Sequence, residues 1–207
     1  MLRKEGLVKN HKRTARLYKR EGLSIRTKKR KKLSGLMRLQ LPVAERVNQT
    51  WAMDFVSDSL YTGRRFRCLN IVDTFTRECI AIRVDTSISG FVVTRILDQL
   101  GEFRGLPETI VIDNGPEFTG KAMSEWAYRT DVKLAFIRPG KPIENAYVES
   151  FNGKLRDECL NEHWFLALSD ARERIEKWRI EYNSERPHSS LKDLTPIEFR
   201  ERYALSA

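Results

Sequence analysis

Three carboxylates carry the chemistry this sequence offers. Asp54 lies in "TWAMDFVS", Asp113 closes "TIVID" just before "NGPEF", and Glu149 lies in "ENAYVESFNGKLRDECL". Asp54 is expected at the end of a first strand and Asp113 at the end of a fourth, where sheets with helical connections often place their sites. If those two strands are neighbours, a helix crossing the sheet edge adds Glu149. Three acidic oxygen donors without an adjacent His or Cys are a ligand set for a hard cation, Mg²⁺ or Mn²⁺. Two such ions ~3.5–4 Å apart activate a nucleophile and stabilise the leaving oxygen of a phosphodiester. The chain holds 28 acidic residues, so many triples exist and spacing alone leaves a solvated glutamate open. Asp73 competes as a turn residue or a supplementary carboxylate. Asp58 and Glu117 are expected to face solvent. Cys159 and His163 lack a second pair of ligand types, which argues against zinc.

The stretch around Glu149 reads as an amphipathic helix. At ~100° per residue, Asn145, Glu149, Asn152 and Arg156 form a polar stripe. Val148, Phe151, Leu155 and Cys159 form an apolar one. Most polar stripes are solvated faces. Here the preceding "RPGKP" loop (138–142) offers cations to phosphate, and Arg156 lies seven residues beyond Glu149.

Charge points to a polyanion. The net charge of +10 is confined to one end: residues 1–47 hold 16 Lys/Arg against 3 Asp/Glu, and residues 48–207 hold 22 against 25. A basic arm on a mildly acidic body suits nucleic acid. The run Arg26, Lys28, Lys29, Arg30, Lys31, Lys32 is its densest part. No apolar run reaches the ~18 residues of a membrane span, and no signal-peptide block opens the chain. Three widely spaced cysteines suit a reducing compartment better than a disulfide framework.

The elements that must position the carboxylates follow from periodicity. Asn10 caps a helix over His11 to Glu21, with Gly22 just past its end. Strands are expected at 50–57 (ending near Asp54), 66–73 and 78–84, the last two joined by a "TFTR" turn. A helix over 90–103 is expected to bury Phe91, Val92, Ile96, Leu100 and Phe103. A short strand at 109–113, a helix at 119–130 with Met123, Trp126 and Ala127 on one face, and a strand at 132–137 follow. The Glu149 helix and another over 169–182, with Ile175, Trp178 and Tyr182 inward, complete the set. A meander followed by alternating helix and strand gives an α/β fold with a mixed sheet and helices on its faces. The expected division is an arm at 1–46 and a body at 47–207.

Taken together, "WAMDF", "DNGPEF" and "NAYVESFNGKLRDE" resemble the DDE catalytic core of insertion-sequence transposases, closest to the second-frame (OrfB) product of the IS-three family. That core is similar to retroviral integrase. The family's 35 residues between second Asp and Glu are matched here, as is a basic residue seven after the Glu, Arg156. "YNSERPHSSLKDLTP" matches its C-terminal signature, and "NHKRTARLYKREGL" resembles the end of its helix-turn-helix-like region, so the chain is expected to start partway through that region. The resemblance implies an RNase H-like five-stranded sheet. It implies that Asp54, Asp113 and Glu149 are catalytic and bind two Mg²⁺ (or Mn²⁺) ions. Lys141, Asn145 and Arg156 would orient DNA near the scissile phosphate. Element ends and target DNA are the implied partners, met by a homo-oligomer in the bacterial cytoplasm, at the nucleoid. Tyr182, Asn183, Arg186, Pro187 and His188 would hold the C-terminal segment to the core. A nuclease of RNA–DNA hybrids and a DNA-binding remnant without activity are the competing readings.

Overall fold

A computed structural model describes residues 10–23, 43–138 and 145–204. The expected DNA contacts Arg26, Lys28, Lys29, Arg30, Lys31, Lys32 and Lys141 lie outside the described residues. The chain divides into two units, Met1–Gln40 and Leu41–Ala207. In the first, helix α1 spans His11–Arg20, and the Asn10 side chain accepts the Lys12 amide at 3.0 Å. Gly22 follows at φ +69°, a backbone that favours glycine.

The second unit is built on a five-stranded sheet in the order β3-β2-β1-β4-β5. Strands β1 (Thr50–Ser59), β2 (Arg65–Asp73) and β3 (Cys79–Asp85) form an antiparallel meander. Helix α2 (Gly90–Arg104) leads to β4 (Thr109–Ile112), which runs parallel to β1. A single turn of helix, α3 (Pro116–Thr119), and α4 (Lys121–Thr130) lead to β5 (Lys133–Phe136), parallel to β4. Helices α5 (Ala146–Leu155), α6 (Leu168–Ser184) and α7 (Pro196–Ala204) complete the unit. Among the described residues no helix is long and apolar enough to cross a membrane.

The two-residue period of the strands sorts the core into two layers. Trp51, Met53, Leu69, Ile71, Ile110 and Ile112 pack with Val93, Leu97, Met123 and Trp126 of α2 and α4. Ala52, Val56, Cys68, Val72 and Val111 pack with Val148, Phe151, Leu155, Ile175 and Tyr182 of α5 and α6. Asp54 shares its parity with Ala52 and Val56, so it faces the α5 side. Asp113, two residues beyond Val111, falls on the same side.

Three expectations need correction. Asp54 is not at a strand end: β1 continues to Ser59, because β2 pairs with it as far as Ser59 opposite Arg65. What ends near Asp54 is the other neighbour, since β4 stops at Ile112. Helix α2 buries Val93, Thr94 and Leu97, while Phe91 and Phe103 are 64% and 89% exposed. Its apolar residues surround the helix too broadly for period alone to fix the contact arc, which is centred on the Val93–Leu97 pair. The Glu149 helix is α-helical only to Leu155, and one π-helical turn, Arg156–Leu160, follows and buries both Cys159 and Leu160.

Helix α6, whose last turn opens the C-terminal signature, closes the exposed edge of β3. Asn183 donates to the Cys79 carbonyl and accepts the Cys79 amide, both at 2.9 Å. Arg179 and Arg172 reach the carbonyls of Cys79 and Val84 at 3.0 Å. These side chains satisfy backbone groups that an edge strand would otherwise offer to another chain.

Candidate active site

The parallel register pairs Trp51 with Ile110 and Ala52 with Val111. Carried two residues on, it brings Asp54 level with Asp113. Asp54 is pushed up to about 6 by burial first, then by the negative charges of Asp113 and Glu149, against the hydrogen bonds it accepts. Asp113 and Glu149 therefore both lie within electrostatic reach of Asp54. Among the described residues no three His, Cys, Asp or Glu side chains stand already closed into a cation cage.

Asp54 and Asp113 are each held by their own device. Asp54 accepts the Phe55 amide at 2.8 Å and the Asn152 side-chain amide at 2.7 Å. Asn152 in turn accepts from Asn70 at 2.6 Å, and Asn70 is the β2 partner of Asp54 in the register. A relay Asn70–Asn152–Asp54 thus ties α5 to the sheet beside the acids. Asn70 is fully buried, a polar residue between Cys68 and Val72 on an apolar strand face. The residue-by-residue reading of the sequence did not single it out, although that break in the apolar alternation was the available signal. Asp113 accepts the Gly115 amide at 2.9 Å. A Cβ on Gly115 would stand 2.9 Å from that same carboxylate oxygen, so a side chain there would push the Asp113 carboxylate out of its place.

Glu149 is exposed on α5, and Arg156 donates to the Ser57 carbonyl at 2.8 Å, on β1 beyond the end of its β4 pairing. Asn145, expected at DNA, is instead 3% exposed and donates to the Met53 carbonyl at 3.2 Å. Its burial makes it a strut between the start of α5 and the strand of Asp54.

The decoys separate on geometry. Asp73 is fully buried and accepts the amides of Asn48, Phe75 and Thr76 at 2.9, 2.8 and 3.1 Å. It is the turn residue of the β2–β3 hairpin. Glu117, expected in solvent, is ion-paired with Arg67, whose guanidinium lies 4.0 Å over the Phe55 ring. His163 contacts the Cys159 carbonyl, not its sulfur.

Two family profiles, each described as an integrase core domain, match residues 44–142 and 130–196. The chain is 49% identical over 209 residues to the IS407 uncharacterized 31.7 kDa protein of Burkholderia multivorans, covering 100% of this chain and 75% of that one. It is 47% identical over 203 residues to the IS476 uncharacterized 39.2 kDa protein of Xanthomonas euvesicatoria, covering 98% and 59%. The fold matches the magnesium-bound catalytic core domain of HTLV-2 integrase with a TM-score of 0.59 at 21% identity, over 75% of this chain and 98% of that one. Profile matches from Ala44 to Pro196 and close relatives along the whole chain agree: this chain belongs to the integrase-core family of insertion-element transposases.

Proposed function

We propose that the chain cleaves a phosphodiester at the end of an insertion element and joins the released 3′-hydroxyl to a second DNA strand, with Asp54, Asp113 and Glu149 holding two Mg²⁺ or Mn²⁺ ions. The observation that carries this reading is that Asp54 and Asp113 lie level on neighbouring parallel strands, where burial first, and then the charges of Asp113 and Glu149, raise the Asp54 carboxyl. Like charges gathered at a partly buried point are relieved by a hard cation, and the donor set is oxygen alone. When bound, the divalent ions supply the Lewis acidity that turns water or a 3′-hydroxyl into a nucleophile and neutralises the leaving oxygen.

The chain's own residues hold that geometry. Asn152 and the Phe55 amide fix both oxygens of Asp54, and the Gly115 amide fixes Asp113. Each of these is a backbone or packed amide, so orientation is set before DNA arrives. Arg156 reaches from the same helix as Glu149 and presents cationic charge beside the phosphate path. In hydrolysis, the water oxygen bonds to phosphorus as the bond to the 3′-oxygen breaks. In joining, the freed 3′-hydroxyl takes the place of water, and one phosphodiester is exchanged for another. Two element ends must be held together for this exchange, which calls for more than one copy of the chain on DNA.

The test offers the purified chain a duplex carrying element ends, and separately an RNA–DNA hybrid, each with Mg²⁺ and with chelator. Expected are Mg²⁺-dependent nicks at the ends and joined products from the duplex. Hybrid cleavage with no joined DNA product would make the protein a hybrid nuclease instead.

The basic arm supplies sequence-independent grip. Deleting residues 1–40 removes the whole positive excess and leaves a body with more acidic than basic residues. It is expected to weaken DNA retention and flatten its dependence on salt, by about 0.9 in log K per log salt for each phosphate no longer neutralised. An unchanged slope in a salt titration would refute the arm's role.

A further inference from the structure

Helix α5 has a third face, which neither the carboxylates nor the core uses. Tyr147 and Lys154, seven residues apart, share it. It lies about 140° round the helix from Glu149 at ~100° per residue. Three cations from different parts of the chain meet there. Arg77, from the β2–β3 turn at φ +61°, lays its guanidinium 3.8 Å over the Tyr147 ring and donates from one nitrogen to the Thr74 carbonyl. Lys154 extends over the Tyr182 ring, 5.6 Å from its centre. Arg186, from the C-terminal signature, pairs with Glu158. Beneath them His188 packs edge-on against Tyr182, 6% exposed, and its Nε2 has no hydrogen-bond partner among the described residues.

The cluster is under-neutralised. Among the described residues, Arg77 and Lys154 have no carboxylate within ion-pair distance, and Glu158 is already engaged. Burial first, and then the charge of Arg186, holds the Lys154 ammonium below its ordinary range, with Arg77 acting in the same sense and Glu158 against it. Burial and the three cations together hold His188 down at about 4, so its ring is uncharged at neutral pH. A protein surface that gathers three cations into partial burial around a single carboxylate leaves two positive charges unmatched. The body carrying this cluster has more acidic than basic residues, so the concentration is local.

We propose that Arg77, Lys154 and Arg186 form a phosphate-binding cluster that grips a second stretch of nucleic-acid backbone, on the flank of α5 turned away from the carboxylates. This rests on the reading of the chain as a DNA transposase. Phosphate fits because Arg77 is braced face-on by an aromatic ring, which commits its plane and leaves the rest of its edge for planar hydrogen bonding to oxyanions. Lys154 adds a point charge beside it. A strand held here cannot be the one being cut, because the body of α5 separates the two faces. The cluster therefore engages either a more distant part of the same duplex or a second one.

The test uses the full chain, Lys154→Gln and Lys154→Glu. Retention of a duplex of unrelated sequence is measured across a salt series, and thermal midpoints are read in phosphate against chloride of matched ionic strength. Lys154 is half-exposed, so both variants are expected to fold. The expected result is a salt slope shallower by about 0.9 in Lys154→Gln, weaker retention still in Lys154→Glu, and loss of the midpoint rise that phosphate gives the parent. Unchanged slopes and an equal phosphate response in all three proteins would overturn the proposal. So would a midpoint rise produced by poly-glutamate peptide with no change in the DNA slope, which would make the occupant an acidic protein segment. Cleavage by the parent is scored separately, so failure of the catalytic reading is not mistaken for failure of this one.

Discussion

Asp54→Asn is expected to end Mg²⁺-dependent cleavage while making the metal-free protein more stable at neutral pH. The first half follows from its place: it lies level with Asp113 and feels Glu149 across the same face. Losing one of three oxygen donors is expected to reduce strand cleavage at least about 10³-fold, about 4 kcal/mol of barrier. Glu149→Gln is expected to do the same, with DNA retention nearly intact because the cationic surfaces are untouched. Cleavage at parental rate in either variant would sink the assignment.

The second half follows from the raised carboxyl. The folded protein holds Asp54 protonated up to about 6, whereas an unfolded chain releases that proton near 3.8. Between those values the native state binds the extra proton, so stability falls as pH rises through roughly 4 to 6 and stays reduced above. A two-unit shift corresponds to roughly 3 kcal/mol, and solvent screening of this partly exposed group reduces that to about 1–2 kcal/mol. Asparagine removes the charge but turns an NH₂ toward one of the two donors that Asp54 accepts, returning part of the gain. Thermal melts without metal should therefore place Asp54→Asn above the parent at pH 7–8 and level with it near pH 4. Mg²⁺ should raise the parent's midpoint and leave the variant's unmoved. A variant less stable than the parent at both pH values would mean that the carboxylate is structural.

Much of this site was legible as local pattern. The strands alternate, Asp113 is followed by the turn dipeptide Asn114-Gly115, and the two faces of α5 separate by angle. Other parts were not local. Asp54 was read as a strand end because its chain environment changes there, but the change is in a neighbour: β4 stops while β2 continues. Nothing in the 50s reports the length of a strand fifty residues later. Asn70 matters because of what faces it, Asn152, and that pairing is made by α5 crossing β2. Asn145 looked like a ligand contact because polar residues on one helical stripe look alike. Its burial against Met53 is a tertiary fact. The last helix is a different kind of omission. Thr195 and Glu198 exchange backbone hydrogen bonds at 2.8 and 3.2 Å, a reciprocal cap written in the sequence as T-P-I-E. That signal was present and went unread within a matched signature.

Phe151→Ala is expected to cause the largest loss of stability among single changes near the site, and to damage catalysis without touching an acid. Phe151 is 1% exposed and sits two residues beyond Glu149 on α5. Its ring meets Tyr182 edge-on at 5.0 Å and Trp178 at 5.5 Å, so it joins α5 to α6 at the centre of one core layer. Truncation leaves a cavity that the Tyr182 and Trp178 rings cannot refill, at about 3–5 kcal/mol. The consequence for chemistry is angular. Glu149 is aimed by the contact of Val148, Phe151 and Leu155 with the sheet and α6, and a helix that settles into a cavity rotates or shifts its opposite face. A displacement of about 1 Å costs on the order of 10²-fold in rate when groups must align. Phe151→Leu fills most of the volume and is expected to cost about 1–2 kcal/mol, with a correspondingly smaller rate loss. Cleavage is therefore compared at a temperature where circular dichroism shows both variants folded. Rates that fall in the order parent, Leu, Ala, with DNA retention constant, mean that the apolar stripe positions the glutamate. A folded Ala variant that cleaves as fast as the parent would show that Glu149 is aimed by the polar contacts of Asn145 and Asn152 alone.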